Sequence, residues 1–286
     1  MNDYLKLCRP AHAVKNLLVL LPPFFGHRLL ESQTLKAAPW AFIAFSMIAS
    51  AIYVINDMAD AENDRMNPAK KNRPIASGRV SMRGAAILLV LLIAGGFAML
   101  CMAHDMILTS ILLIAYFALN IGYSLKLKNQ PVVDVFILAA GFVLRIYFGG
   151  AWFGVVISPW LFLCILCGAL CFALGKRRNE MLHINAPHLS RPVLRKYTQI
   201  YLTNSYYMFC GMTIVFFSLW TVFATNQKTM FLFTIPLVIL IILRYNLIIE
   251  TTDTAGDPIP TLLGDRTLIL FSVIFAALSF AGVYFL

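Results

Sequence analysis

The chain has 286 residues, 60% of them hydrophobic and 13% charged, with a formal net charge of +10. Its repeated apolar stretches approach the roughly 20 residues that cross a bilayer, which excludes a soluble domain because a soluble domain cannot hide that much apolar surface. The basic excess therefore points to phosphate groups and anionic lipid headgroups, and no nucleic-acid partner is expected.

Residues Met1 to Pro10 are polar, and the apolar run after them continues into Pro22 and Pro23. That pattern is unlike a cleaved signal peptide, so the first helix is expected to stay in the mature protein. In chain order nine spans are expected, over residues 14–31, 37–56, 84–103, 107–125, 132–155, 159–175, 204–225, 229–248 and 267–286. The predicted fold is all-α, a multi-pass transmembrane bundle of about nine helices forming one domain over 1–286. Cys164, Cys167 and Cys171 share a helix face, but no His or carboxylate completes a ligand set there, so they read as small packing residues.

With the N-terminus inside, most of the 23 basic residues fall on the cytosolic side. They are Lys6, Arg9 and Lys15; Arg65, Lys70, Lys71, Arg73, Arg79 and Arg83; Lys126 and Lys128; Lys176, Arg177, Arg178, Arg191, Arg195 and Lys196; and Arg244 and Arg266. Arg28, Lys36 and Lys228 fall outside, and Arg145 lies within a span. The positive-inside rule then predicts a cytoplasmic (inner) membrane protein with its N-terminus and the inner ends of its even-numbered spans facing the cytosol.

The second span ends in Asn56, Asp57, Met58, Ala59, Asp60, Ala61, Glu62, Asn63 and Asp64. On a helix, Asp57, Asp60 and Asp64 fall within roughly 60° of one another, while Glu62 points away. Three like charges on one face repel unless a cation neutralises them, and oxygen-only ligands suit Mg²⁺. A solvated acidic loop neutralised by Arg65, Lys70 and Arg73 is the plainer alternative. Against it, the cluster stands at a helix C-terminal end, where the macrodipole disfavours anions.

Tyr123, Lys126 and Lys128 lie at the inner end of the fourth span, where interfacial tyrosines and snorkelling lysines are common. On the fifth span, Asp134 and Arg145 stand eleven residues apart, about 20° out of phase and roughly 16 Å apart along the axis. An arginine that deep must face a polar cavity or pair with an acid, Asp134 included. After the sixth span, Gly175, Lys176, Arg177, Arg178, Asn179 and Glu180 open a loop with guanidinium forks and an ammonium, the donors that hold phosphate. His12, His27, His104, His183 and His188 show no paired acid or ligand spacing. Asp253, Asp257 and Asp265-Arg266 read equally as loop solvation or as groups closing the site.

Asn56 to Asp64 resembles the first aspartate motif of the UbiA prenyltransferase superfamily, NDxxDxxxD, in its expected place after the second span. Within that superfamily the chain resembles the branch that builds polyprenyl-phosphoryl phosphoribose. Carrying this are Arg9-Pro10 with Lys15-Asn16; Asp64-Arg65 through Asn67-Pro68, Lys70 and Arg73 to Gly78; Tyr123-Ser124 with Lys128; Asp134 with Gly141 to Arg145; and Leu174 to Arg178. Ala13 departs from the tryptophan of that pattern. The second aspartate motif of aromatic-ring prenyltransferases is missing after the sixth span, where Glu180 is the only carboxylate.

The resemblance implies transfer of 5-phosphoribosyl from phosphoribosyl diphosphate to a decaprenyl-type polyprenyl phosphate, among membrane lipids, with homo-oligomerisation left open. Mg²⁺ on Asp57, Asp60 and Asp64, with Asn56 orienting, would neutralise the leaving diphosphate. Lys15, Asn16, Lys70, Arg73, Tyr123, Lys126, Lys128, Asp134, Arg145, Lys176 and Arg177 are the substrate-binding candidates. Two rivals are a prenyltransferase using a prenyl diphosphate and a cation-coupled transporter. The acids at a span's end, away from the bilayer midplane, argue against the transporter.

Overall fold

The computed structural model describes residues 3–67, 70–182, 192–223, 229–251 and 264–285. Pro68, His183, His188, Arg191, Lys228, Asp253 and Asp257 lie outside the described residues. Among the described residues all regular structure is helical. Eight of the described helices are long and apolar enough to cross a membrane. They are α1 (Ser32–Ala59), α2 (Met82–Ala98, prolonged by the 3-10 turn Met99–Met102), α3 (Met106–Leu125), α4 (Val133–Phe153), α5 (Pro159–Leu182), α6 (Gln199–Phe223), α7 (Thr234–Thr251) and α8 (Arg266–Tyr284).

Two expectations need correction. The first span, expected over 14–31, is a 3-10 stretch, Pro10–Leu20, followed by a five-residue α-helix, Leu21–Phe25. Pro22 and Pro23 remove two adjacent backbone donors, which disfavours continuing one regular α-helix across Leu20 and Leu21. The sixth span does not stop at residue 175 but continues to Leu182. Beyond Gly175, the run from Lys176 to Leu182 holds mostly good helix formers and no breaker, so Lys176, Arg177 and Arg178 stand on a helix and not in a loop.

The chain folds as two compact units, Met1–Leu125 with Leu144–Val156, and Lys126–Val143 with Ile157–Leu286. In the first, Phe45, Ile48, Leu113, Tyr116, Phe148 and Trp152 form the core against Val19. Alanines at 41, 44, 49 and 51 line α1, and such small side chains let neighbouring backbones approach, which favours van der Waals packing where lipid removes the hydrophobic drive. The closest approach is at Gly149, where a Cβ would sit 2.0 Å from the Val19 carbonyl oxygen.

In the second unit α5 and α6 pack along much of their length. Cys171, Leu174, Leu202, Tyr206 and Cys210 share a core with Tyr245, Ile249 and Leu268. All six cysteines are free; the Cys171 and Cys210 sulfurs lie 2.9 Å apart. Asp265 caps α8 by accepting from the Leu268 N–H at 2.8 Å, and it also pairs with Arg244. That hydrogen bond from Arg244 holds the Asp265 carboxyl below its ordinary range. Large apolar residues on α2, α3 and α6, such as Ile87, Val90, Ile107, Ile111 and Val215, are exposed, as helices bathed in hydrocarbon require.

Candidate active site

In the first unit α1 ends at Ala59, Asp60 forms the break, and a second short helix runs Ala61–Met66. The Asp60 N–H still donates to the Asn56 carbonyl at 2.9 Å, and the Asp64 N–H to the Asp60 carbonyl at 2.8 Å. Helical phase therefore survives the break. Asp57 and Asp64 come out together and buried, at 3% and 2% exposure, Asp60 is half-buried, and Glu62 is exposed.

The segment after this helix folds back in overlapping turns. Arg73 donates its N–H to the Lys70 carbonyl, Ser77 to Arg73 and Val80 to Pro74, with Gly78 supplying a φ of 76°. This fold places the Arg73 guanidinium between the two acids, with Nη1 at 2.7 Å from Asp64 Oδ2 and 3.2 Å from Asp57 Oδ1. Lys70 Nζ lies 4.0 Å from Asp64 Oδ1. From the N-terminal segment, Arg9 Nη2 donates to Asp57 Oδ1 at 2.6 Å.

No three carboxylate, imidazole or thiol groups converge to ligate one ion among the described residues. Cationic charge is instead met on the oxygens by Arg9 and Arg73. The donor set fits Mg²⁺ in chemistry: hard, anionic oxygens, buried, and already arranged to be neutralised by positive charge.

A second polar group lies in the same unit. Arg145, buried on α4, donates from Nε to Asn16 Oδ1 and from Nη2 to the Tyr116 hydroxyl, both at 2.9 Å. Its guanidinium also lies 5.1 Å from the Phe45 ring centre and 4.9 Å from that of Tyr116. Asn16 passes the network on, donating Nδ2 to Ser46 Oγ at 2.9 Å. A recess of about 10 Å³, room for roughly one water, is lined by Arg9, His12, Asn16, Ser46, Tyr53 and Arg145. Lys15 is half-buried on the 3-10 stretch, and Tyr123 is half-buried near the end of α3.

In the second unit Lys126 is exposed and Lys128 half-buried, flanking and within the 3-10 turn Leu127–Asn129. Arg177, 1% exposed, donates to Asp134 Oδ2 at 2.7 Å and Glu180 Oε2 at 2.8 Å. The Tyr197 hydroxyl donates to Asp134 Oδ1 at 2.7 Å and accepts the Val132 N–H at 2.6 Å. Burial pushes the Tyr197 hydroxyl well above its ordinary range and so keeps it a donor. Val132 has a φ of 68°, a conformation strained for a β-branched residue. Arg178 pairs with Glu250 at 2.7 Å and donates to Thr203 Oγ1 at 3.0 Å. Asp134 and Arg145, read as sharing a face, are thus each engaged by other side chains.

Arg9, Tyr116, Glu180 and Tyr197 were not among the sequence candidates, although Arg9-Pro10 belongs to the resembling pattern. Tyr116 and Tyr197 carry no signal in sequence, because their hydroxyls gain meaning only through partners 29 and 63 residues away.

Among the described residues, eight membrane-length helices and a buried acid-and-arginine cluster at the end of one of them define a multi-pass integral membrane protein with a charged site at a helix end. The family model described as the UbiA prenyltransferase family matches residues 20–263, and the chain belongs to that family. Among curated proteins it is 33% identical to the decaprenyl-phosphate phosphoribosyltransferase of Corynebacterium glutamicum over 279 residues, covering 93% of this chain and 82% of that one. The enzyme of the same name from Mycobacterium tuberculosis is 31% identical over 288 residues, covering 98% and 94%. Among solved structures, a UbiA homolog from Archaeoglobus fulgidus bound to GPP and Mg²⁺ aligns with a TM-score of 0.73 at 21% identity, over 98% of this chain and 99% of that one, which shows a shared fold.

Proposed function

We propose that this chain transfers the 5-phosphoribosyl group of phosphoribosyl diphosphate to a polyprenyl phosphate of decaprenyl type, releasing diphosphate. Near full-length similarity to two phosphoribosyltransferases supports the reading. The observation that carries it is on α5. Where a prenyl diphosphate enzyme would offer a second set of carboxylates, this helix carries Lys176, Arg177 and Arg178, and its one carboxylate, Glu180, is engaged by Arg177 at 2.8 Å.

In the reaction the bond between the ribose anomeric carbon and the diphosphate oxygen breaks, and a bond from that carbon to the acceptor phosphate oxygen forms. Negative charge grows on the leaving group and positive charge on the ribose ring. Electrostatic stabilisation is the main catalytic demand. Asp57 and Asp64, with Asp60, would hold Mg²⁺, which when bound supplies neutralisation of the leaving diphosphate. Arg73 bridges Asp57 and Asp64 and so fixes their separation. Lys70, beside Asp64, and Arg9, beside Asp57, add donors for phosphate oxygens. Lys15, Asn16, Tyr123, Lys126, Lys128 and Lys176 remain substrate-binding candidates, with Asn56 orienting. An acceptor phosphate is already anionic near neutral pH, so no general base is needed.

The predominance of basic residues on one side supports a cytoplasmic-membrane location with the site facing the cytosol. The test supplies labelled phosphoribosyl diphosphate, a polyprenyl phosphate and Mg²⁺ to the purified protein, followed by lipid extraction. Label is expected in the lipid phase. Label left in water while a prenyl diphosphate alkylates an aromatic acceptor would establish the rival transferase instead.

A further inference from the structure

Arg9 has a backbone in the left-handed region, φ 49° and ψ 61°, at the head of the 3-10 stretch. Such a conformation disfavours a side chain with a Cβ and persists only where the surroundings hold it. Two contacts hold this one. The guanidinium reaches 48 residues ahead to Asp57 Oδ1 at 2.6 Å, and its carbon lies 4.8 Å over the ring of Tyr53, one helical turn before Asp57 on α1.

The chosen oxygen matters. Asp57 Oδ1 also receives Arg73 at 3.2 Å, so two cations meet on one buried oxygen. Arg73 is anchored a second time, on Asp64 at 2.7 Å, whereas Asp57 is the carboxylate of Arg9. Of the two, Arg9 is the one that can leave without opening the acid pair.

We infer that Arg9 is the resident counter-ion of Asp57 and competes with the divalent cation for it. Metal binds by displacing Arg9, and the freed guanidinium is then available to an anionic substrate. This rests on the reading that Asp57 and Asp64 hold the metal, and it makes Arg9 a positioning residue that sets metal affinity. The expected behaviour is weak metal binding by the resting protein, strengthened when Arg9 is removed or loosened.

The experiment titrates Mn²⁺ into the detergent-purified full chain and follows free Mn²⁺ by electron paramagnetic resonance, without substrate. Arg9→Met is expected to lower the Mn²⁺ Kd about tenfold or more, the scale of a lost charged hydrogen bond. Tyr53→Leu keeps Arg9 but removes its platform, and is expected to lower Kd roughly two- to fivefold. It carries the test if Arg9→Met does not fold. Asp57→Asn is expected to lose the site. Unchanged Kd in the Arg9 and Tyr53 variants, with the site still lost in Asp57→Asn, overturns the role of Arg9 alone. Wild-type Mn²⁺ binding by Asp57→Asn overturns the metal reading, and this inference with it.

Discussion

At the scale of single residues, charge is held by pairing, and the consequences of unpairing differ between the clusters. Asp57→Asn and Asp64→Asn keep shape but lose the charge that Arg9 and Arg73 answer, and each is expected to lower turnover by about a hundredfold or more. Glu62→Gln, exposed on the opposite side, is expected to change it less than about twofold. Lipid-extraction assays on membranes with matched protein content check both, and equal losses in all three would contradict the helical phase. In the other unit, Asp134→Ala leaves Arg177 buried without its main acid and is expected to cost about 3–5 kcal/mol of stability. Thermal unfolding in detergent measures this. The common face of Asp57 and Asp64 was legible because seven residues nearly complete two helical turns, a relation local to the chain. The engagement of Arg177 was not, since Asp134 lies 43 residues earlier. Nor was the reach of Arg9, which depends on a left-handed backbone that no arginine advertises.

At the scale of elements, eight of the nine expected spans are helices because uninterrupted apolar length is a direct signal. The exception is the first span, 14–31, because apolar content says nothing about the donors that prolines remove. The chain loses little reach by this: eleven 3-10 residues rise about 22 Å and five α-helical residues about 7.5 Å, together near the thickness of a bilayer core. That stretch is pressed on α4 at Gly149. Gly149→Ala would drive a Cβ to 2.0 Å from the Val19 carbonyl oxygen and is expected to destabilise by about 1–3 kcal/mol. Gly211, exposed on α6 with nothing within 4 Å of an added Cβ, is the control. Gly211→Ala is expected to be neutral or stabilising by up to about 1 kcal/mol, because alanine is the better helix former. Melting temperatures of the two variants, compared side by side, decide the matter.

At the scale of the whole molecule, the distribution of basic residues predicts orientation. Single cysteines at Lys71 and Arg195 are expected to react only with reagent admitted to the cytosolic side, and one at Arg28 only from outside. Reaction of the Lys71 variant from outside would put the acid cluster on the wrong face. Cys101 is exposed and must first be replaced, whereas Cys164, Cys167, Cys171 and Cys210 are buried. The order of the eight membrane-length helices was readable along the chain, while the partners inside each unit were not, because they join segments far apart in sequence. The bond from Arg145 to Asn16 spans 129 residues. At a synthesis rate of roughly 5–20 residues per second, Asn16 leaves the ribosome about 6–26 s before Arg145. Tyr116 and Phe45, the other groups that meet the guanidinium, are also made before it. A lone arginine entering the bilayer centre costs about 2.5–3.5 kcal/mol on insertion scales. The order of synthesis answers that cost in time: when this charge reaches the membrane, the groups that receive it are already there.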